Sequence, residues 1–197
     1  VTLLEARNRL GGRATSFVDP QTEQVLDNCQ HVLMGCCTNL IDLYERLGVA
    51  DRIDWHDRFH FIDAAGRHDV LKADNLPAPL HLGRSLWSFK SLTFADKMSI
   101  SRAMYAMLRL GPAGRAAWHD RTFGDWLRQH RQTPRAIEKF WSNVIVSALN
   151  EPPDRAAADY ALQVFQDGFL AHPRAFVMGL ANVPLLDLYA TAQSVSE

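Results

Sequence analysis

Apolar residues change period along this chain, and the change divides it. Val1 to Leu4 is a short run of β-type side chains, read as a buried parallel strand that ends at Glu5. Asn8 to Gly12 is loop. Thr15–Val18 and Gln24–Leu26 flank Asp19-Pro20-Gln21-Thr22, a turn signal, and predict a hairpin. From Thr38 the period becomes helical: Leu40, Ile41, Tyr44 and Leu47 share a face and Gly48 is the stop. Phe59–Asp63 and Asp69–Leu71, joined through Ala64-Ala65-Gly66-Arg67, predict a second hairpin.

After the loop Leu76–Pro79 the pattern is helical almost to the end. Thr93-Phe94-Ala95-Asp96 resembles a capping box with Asp in the usual Glu position. It opens a helix carrying Met98, Met104, Met107, Leu108 and Leu110, stopped by Gly111-Pro112. Thr122-Phe123-Gly124-Asp125 repeats the cap. Thr133-Pro134 starts a helix holding Ile137, Phe140, Trp141, Val144, Ile145 and Leu149, broken by Glu151-Pro152-Pro153. A last helix is expected from Asp154 to Gln166. The expected fold class is α/β (α+β in this stretch of chain): residues 1–55 as part of a nucleotide-binding domain of Rossmann type, and 56–197 as a mainly helical, truncated substrate-binding domain.

Composition narrows the function classes. A formal net charge of −1 with interleaved signs argues against nucleic acid as a partner, since phosphate binding needs a basic surplus. Three cysteines, Cys29 and the adjacent Cys36 and Cys37, make a poor disulfide framework and point to a reducing compartment. No signal peptide is visible. The uncharged stretches Phe140–Asn150 and Ala175–Leu186 are too short for a spanning helix, which needs about 20 residues. A cytoplasmic location, with contact to the inner membrane surface, is expected. The segment 79–94 supplies a candidate for that contact, with Leu80, Leu82, Leu86, Trp87, Phe89 and Leu92 around Arg84 and Lys90.

Glu5 is the first candidate functional residue. A carboxylate at the carboxyl end of a second strand accepts hydrogen bonds from both hydroxyls of an adenosine ribose. Gly11-Gly12 lets backbone approach a phosphate closely, and Arg13 adds a fixed-charge fork. Each has a plainer account alone, as a solvated acid or an ordinary loop; their joint spacing favours the nucleotide. Such a fold also needs a first strand and a glycine-rich turn about 20 residues before the acid. The chain therefore reads as an internal piece of a larger protein, and its remaining part is needed for function. His56 and His60 stand four apart, but no Cys or acid completes a metal set, so no metal is expected. Cys36-Cys37 reads as two packed thiols.

Leu4-Glu5-Ala6-Arg7-Asn8-Arg9-Leu10-Gly11-Gly12-Arg13-Ala14 resembles the nucleotide signature of the flavin amine oxidase and phytoene desaturase superfamily. Asp27-Asn28-Cys29-Gln30-His31-Val32-Leu33-Met34-Gly35-Cys36 resembles a segment of its squalene-associated branch, the hydroxysqualene dehydroxylases. Phe123-Gly124-Asp125-Trp126-Leu127, Phe140-Trp141, Ala148-Leu149-Asn150 and Val183-Pro184-Leu185-Leu186-Asp187-Leu188-Tyr189 match the same branch.

The resemblance implies an FAD-dependent oxidoreductase of squalene and hopanoid biosynthesis that reductively removes the allylic hydroxyl of hydroxysqualene. It implies that Glu5, Ala6, Arg7, Gly11, Gly12 and Arg13 hold the FAD. Gln30 and His31 are the implied catalytic candidates; a structural histidine is the plainer account of His31. A long apolar isoprenoid is the implied substrate, its tunnel lined by some of the Met, Phe and Trp side chains that otherwise read as core. Carotenoid desaturase, amine oxidase and a truncated non-catalytic fragment are the alternatives. Cys29 stands where the family has glycine, and is strained if that backbone takes φ > 0.

Overall fold

The computed structural model describes residues 4–6 and 10–189. The strands and α-helices among them, in chain order, are β1 (Ser16–Val18), β2 (Val25–Asp27), β3 (Val32–Met34), α1 (Thr38–Arg46), β4 (Ile53–His56), β5 (Arg58–Ile62), β6 (His68–Lys72), α2 (Gly83–Ser88), α3 (Phe94–Leu110), α4 (Phe123–Gln129), α5 (Pro134–Ala136), α6 (Ser142–Leu149), α7 (Ala158–Phe165) and β7 (Met178–Ala181). They form two compact units. The described parts of Val1–His56 and Val177–Glu197 make the first, and Asp57–Phe176 the second.

In the first unit, β1 and β2 form the hairpin that the Asp19–Thr22 turn predicts, with Phe17 opposite Leu26. The Asp19 carboxylate accepts from the Thr22 hydroxyl at 2.6 Å and the Gln21 N–H at 3.2 Å, which is how Asp sets such a turn. A second sheet has the order β3-β7-β4, all antiparallel. Gly179 at its centre leaves room for Ile53 and Trp55: a Cβ there would sit 2.7 Å from Ile53 Cγ2. Leu33, Tyr44, Val49, Ile53, Leu185 and Leu188 fill the core beneath it. Helix α1 presents the expected Leu40, Ile41, Tyr44 and Leu47 to this core, and Gly48 takes φ +69° beyond its end.

One expectation in this unit lies outside the described residues, and three features were not anticipated. The parallel strand at Val1–Leu4 falls mostly outside the described residues; Leu4 itself is 89% exposed, and no strand includes Glu5. Every described strand pair is antiparallel. Strands β3 and β7 carry no clean alternation, and the alternating Ile53-Asp54-Trp55-His56 of β4 is too short to stand out, so the periodicity passed over them. Finally, the stretch expected as part of a helical region to 197 supplies β7, because Met178–Ala181 pairs with both β3 and β4.

The second unit begins with the β5–β6 hairpin, closed by Gly66 at φ +75° and by Asp63, whose Oδ1 accepts from the Ala65 and Arg67 amides. Asp69 lies buried and accepts from the Lys90 N–H at 2.6 Å and the Ser91 N–H at 2.9 Å. Burial alone raises its pKa, but the Ser91 and Lys90 hydrogen bonds outweigh that, and it lies below the ordinary carboxylate range. Both capping boxes form as the sequence predicts, at Thr93/Asp96 and Thr122/Asp125. The helical core is aromatic. Phe165 packs against Phe123, Phe140, Trp141 and Phe169, each ring centroid within 6.2 Å of its own. Trp141 donates to Gln132 at 2.8 Å, and Gln132 donates on to the Ser99 carbonyl at 2.8 Å, so the buried polar atoms are used.

Two helices differ from expectation. The helix opened by Thr133-Pro134 is interrupted by a π-type segment, Ile137–Trp141, that lets both Phe140 and Trp141 face the core. It ends on Asn150 at φ 55°, a left-handed cap, before the prolines. The last helix starts at Ala158 rather than Asp154. Residues before it turn their carbonyls to α4 instead: Phe123 N–H donates to the Ala156 carbonyl at 2.8 Å and Gly124 N–H to the Pro153 carbonyl at 2.7 Å.

Asp96 ties two helix starts together. It caps Thr93 and also accepts from the Thr133 hydroxyl at 2.6 Å, while Thr133 Oγ1 accepts from the Ala136 N–H. Burial raises its pKa, yet the Thr133 and Thr93 hydrogen bonds prevail and leave it lowered. A lowered folded-state pKa means that the stabilisation is present above about 3.8 and is lost as pH falls through the folded-state value. Asp96→Ala is expected to cost about 2–3 kcal/mol, from one cap plus one charge-assisted bond. It is also expected to flatten the loss of stability below pH 3.8. Urea unfolding of both proteins across that pH range checks this, and an unchanged midpoint for the variant refutes it.

Candidate functional site

The predicted glycine bend is a real turn. Gly11 has φ +102° and Gly12 φ +58°, and the Ala14 N–H closes on the Gly11 carbonyl at 2.9 Å. A Cβ on Gly11 would lie 2.5 Å from the Ala14 oxygen and 3.0 Å from Tyr189 Cδ2, so only glycine fits. Around a Cβ on Gly12 there is open space. Arg13 follows on the surface.

Hydrogen bonds bring this turn to the second predicted segment. Asn28 Nδ2 donates to the Arg13 carbonyl at 3.1 Å, and its backbone N–H donates to the Thr15 carbonyl at 2.9 Å. One residue earlier, Asp27 Oδ1 accepts from the Ser16 hydroxyl at 2.7 Å and from the Leu185 N–H at 3.0 Å. The Ser16 oxygen in turn accepts from the Leu186 N–H at 3.1 Å. Three motifs distant in sequence, near residues 11–14, 27–31 and 183–189, are thus joined through the Asn28 amide, the Asp27 carboxylate and the Ser16 hydroxyl. A shallow cleft of about 250 Å³ opens beside them, lined by Ser16, Phe17, Val18, Val25, Pro184, Leu186 and Asp187.

Gln30 and His31 follow that junction and are exposed. His31 Nε2 lies 2.9 Å from Cys29 Sγ, a thiol–imidazole pair at the position where the resemblance leads one to expect glycine. Cys29 is not among the residues with positive φ, so the strain expected there is absent: the side chain is accommodated by an ordinary backbone. Glu5 is exposed and Ala6 lies in a bend beside it. Arg7 lies outside the described residues. Through Asn28, then, the structure brings Arg13 together with the Asp27–His31 segment.

Two participants had no role assigned to them from the sequence. Tyr189 packs on Gly11, and its hydroxyl lies 3.1 Å from that of Tyr44; burial, reinforced by Tyr189, pushes the Tyr44 phenol up. Thr15 has a buried hydroxyl with no hydrogen-bond partner in the protein, although it adjoins the glycine turn. Its only sequence signal was adjacency to Gly-Gly-Arg. Elsewhere in this unit, Cys37 caps α1 without a side-chain bond to the helix, and a hydrogen bond with the Cys36 thiol pulls it down to about 6, with some opposition from burial. In the second unit, His60 Nδ1 lies 2.7 Å from His68 Nε2. No group of three or more His, Cys, Asp or Glu side chains able to hold a metal occurs among the described residues.

The residues present fit a dinucleotide phosphate: a glycine turn whose Gly12 faces open space, an exposed guanidinium beside it, and an unpartnered buried hydroxyl at its edge. Comparison with known proteins points to the same class of cofactor. Residues 1–195 match the family described as flavin containing amine oxidoreductase. The zeta-carotene desaturase of Zea mays is 27% identical over 154 residues, 73% of this chain and 27% of its own length. The zeta-carotene desaturase of Synechocystis sp. is 26% identical over 176 residues, 84% of this chain and 36% of its own. Among solved structures, a double mutant of putrescine oxidase superposes with a TM-score of 0.63 at 18% identity, covering 98% of this chain and 43% of that one. Wild-type putrescine oxidase bound to putrescine gives 0.60 at 18%. The chain therefore spans roughly a quarter to a third of the curated relatives' length, and the shared fold is a mixed helix-and-strand flavoprotein fold.

The two glycines separate space from conformation. Gly11→Ala meets both a backbone oxygen and an unfavourable φ, and should cost about 2–3 kcal/mol. Gly12→Ala meets only the φ and should cost about 1 kcal/mol. Denaturant titrations of the two variants check the order, and equal losses would contradict the geometry.

Proposed function

Because the chain belongs to the flavin containing amine oxidoreductase family, we propose that it is part of an FAD-dependent oxidoreductase acting on a long apolar isoprenoid. The observation that carries the proposal is the Gly11–Ala14 turn, joined through Asn28 to the Gln30–His31 segment. In this reading the first unit is the portion of the FAD domain that lies in this chain, and the second is a substrate-binding domain. Glu5 and Ala6 hold the adenosine ribose, together with Arg7, and Gly11, Gly12 and Arg13 face the pyrophosphate. The Thr15 hydroxyl adds a donor for a phosphate oxygen. FAD supplies hydride transfer to or from a carbon centre. His31, oriented by Cys29, offers an imidazole that can donate or accept a hydrogen bond, and Gln30 offers a donor and an acceptor beside it.

The finer reading is hydroxysqualene dehydroxylase. It is supported by Asp27 through Cys36, by Phe123 through Leu127, and by Val183 through Tyr189, all of which resemble that branch. Asp27 and the 183–189 segment meet at one junction. A second reading, carotenoid desaturase, is favoured by the relatives from Zea mays and Synechocystis. Both substrates are apolar polyenes, so affinity must come from buried apolar area. Incubating the full-length, flavin-loaded protein with hydroxysqualene and a reductant should yield squalene. Glu5→Ala should weaken FAD binding about 10-fold or more. Product from zeta-carotene or phytoene, with none from hydroxysqualene, would move the assignment to the second reading.

The membrane contact is proposed on narrower grounds than the sequence offered. Leu86, Phe89 and Leu92 are core residues, which leaves Leu80, Trp87 and Phe94 exposed near Arg84, Lys90 and Lys97. Trp87 and Phe94 meet edge to face at 5.6 Å. No helix among the described residues is long and apolar enough to cross a membrane. Anionic vesicles should sediment the full-length protein, and Trp87→Ala with Phe94→Ala should reduce the bound fraction several-fold. Binding that is indifferent to both substitutions refutes this surface.

A further inference from the structure

The β5–β6 hairpin packs one face on the helices and leaves the other to solvent. Alternation sends Phe59 and Phe61 of β5, with Asp69 and Leu71 of β6, to the packed face. There Phe59 meets Phe169 and Phe176, and Phe61 meets Phe89 and Phe140. The open face carries Arg58, His60 and Ile62 from one strand and His68, Val70 and Lys72 from the other. His60 stands opposite Val70 and His68 opposite Ile62, so the two histidines are diagonal neighbours. Their rings stack, with centroids 5.0 Å apart and planes 22° from parallel, and His60 Nδ1 lies 2.7 Å from His68 Nε2. Both side chains are exposed. Along the sequence His56, four positions earlier, is the neighbour that His60 offers; the strand register supplies His68 instead.

Two imidazole nitrogens this close share one proton in a hydrogen bond, and neutral imidazole is the commonest protein ligand of transition metals. The donor ring needs only to move its proton to its other nitrogen, a tautomer exchange that water serves at an exposed ring. Both lone pairs are then free to meet one ion. At a metal–nitrogen length of about 2.0 Å, nitrogens on adjacent corners of a square are about 2.9 Å apart, and on a tetrahedron about 3.3 Å apart. The observed 2.7 Å lies nearer the square. The carrier is also held firmly. Asp63 Oδ1 closes the hairpin tip on the Ala65 and Arg67 amides, and Asp69 ties β6 to the Lys90 and Ser91 amides from the packed face. A chelate on paired strands is therefore arranged before the ion arrives. Charge opposes binding in part, since Arg58 stands opposite Lys72 on the same face. Both are exposed and Asp57 lies 3.4 Å from Arg58, so water and salt screen most of that repulsion.

We propose that His60 and His68 form a two-histidine chelate for a divalent transition-metal ion of square preference, copper(II) before nickel(II), with water in the remaining positions. Zinc(II), which favours the tetrahedron, binds there more weakly. The site rests on the hairpin alone and is independent of the flavin and isoprenoid readings.

The test is calorimetric titration of the full-length, tag-free protein with copper(II), nickel(II) and zinc(II). Its thiols are alkylated first, so that Cys29, Cys36 and Cys37 neither bind nor reduce the ion. The wild type should take up a copper ion at a site that binds nickel and zinc progressively more weakly. His60→Gln and His68→Gln should each weaken that copper site about 100-fold, because one nitrogen alone lacks the linked second donor. The double variant should lose little more than either single one, as expected of two residues that act as one site. Frozen-solution EPR should show copper coupled to two imidazole nitrogens in the wild type and to fewer in each variant. Without metal, the Tm of the variants should match the wild type, since both side chains are on the surface. A wild type that binds no copper overturns the proposal. So does copper affinity undiminished by either substitution, zinc binding tighter than copper, or losses that add in the double variant.

Discussion

The pairing of β7 between β3 and β4 is the constraint on which the first unit depends. Met178–Ala181 is only four residues long, yet it supplies the middle strand of the sheet. Without it β3 and β4 have no partner, and two isolated strands of three and four residues do not persist in water. The same return of the chain carries Leu185 and Leu188 into the core and places the Leu185 and Leu186 amides on Asp27 and Ser16. The glycine turn then gains its cover from Tyr189. A long sequence separation is thereby closed by a few backbone bonds. The entropic cost of that closure is modest because the intervening residues fold on their own core.

That arrangement explains why the junction around Asp27 is polar and the core beside it is not. Asp27 is acceptor-only, and it finds a hydroxyl and a backbone amide from two different segments. Replacing those bonds by apolar contact would hold the segments less specifically, because apolar packing is not directional. The candidate cofactor residues sit on the loops so anchored, while helix α1 and the sheet supply the rigid support. This is the usual division between scaffold and function in proteins whose ligands are met by loops.

The second unit solves a different problem. Apart from the 17-residue α3 its helices are short, its core is dominated by Phe and Trp, and several of its buried polar groups are individually matched: Gln132 with Trp141 and Ser99, Gln166 with Met107, Asp96 with Thr93 and Thr133. Arg115 adds an ion pair with Asp167 and a bond to Gln166. Against that background His81 stands out, because those groups are satisfied and it is not. The aromatic side chains that sequence patterning divided between core and tunnel are, for Phe123, Trp126, Phe140, Trp141 and Phe165, core.

What the sequence determined by itself was local chemistry. The Asp19–Thr22 turn, both threonine–aspartate caps, the Thr133-Pro134 start, the face of α1 and the glycine bend are set by residues within a few positions of one another. Short-range sterics and hydrogen bonds decide them whatever the rest of the chain does. The family is legible for the same reason, since its motifs are contiguous. Tertiary structure alone decided which segments share a sheet, where the last helix begins, that Cys29 needs no left-handed backbone, that Thr15 and Tyr189 matter, and that His60 meets His68. Strands as short as β3, β4 and β7 offer too little period to read, and their pairing is chosen by core packing between residues more than a hundred positions apart. Burial, too, is a property of neighbours: nothing in Leu80-His81-Leu82 reveals that the middle side chain will be enclosed with its nitrogens unpaired.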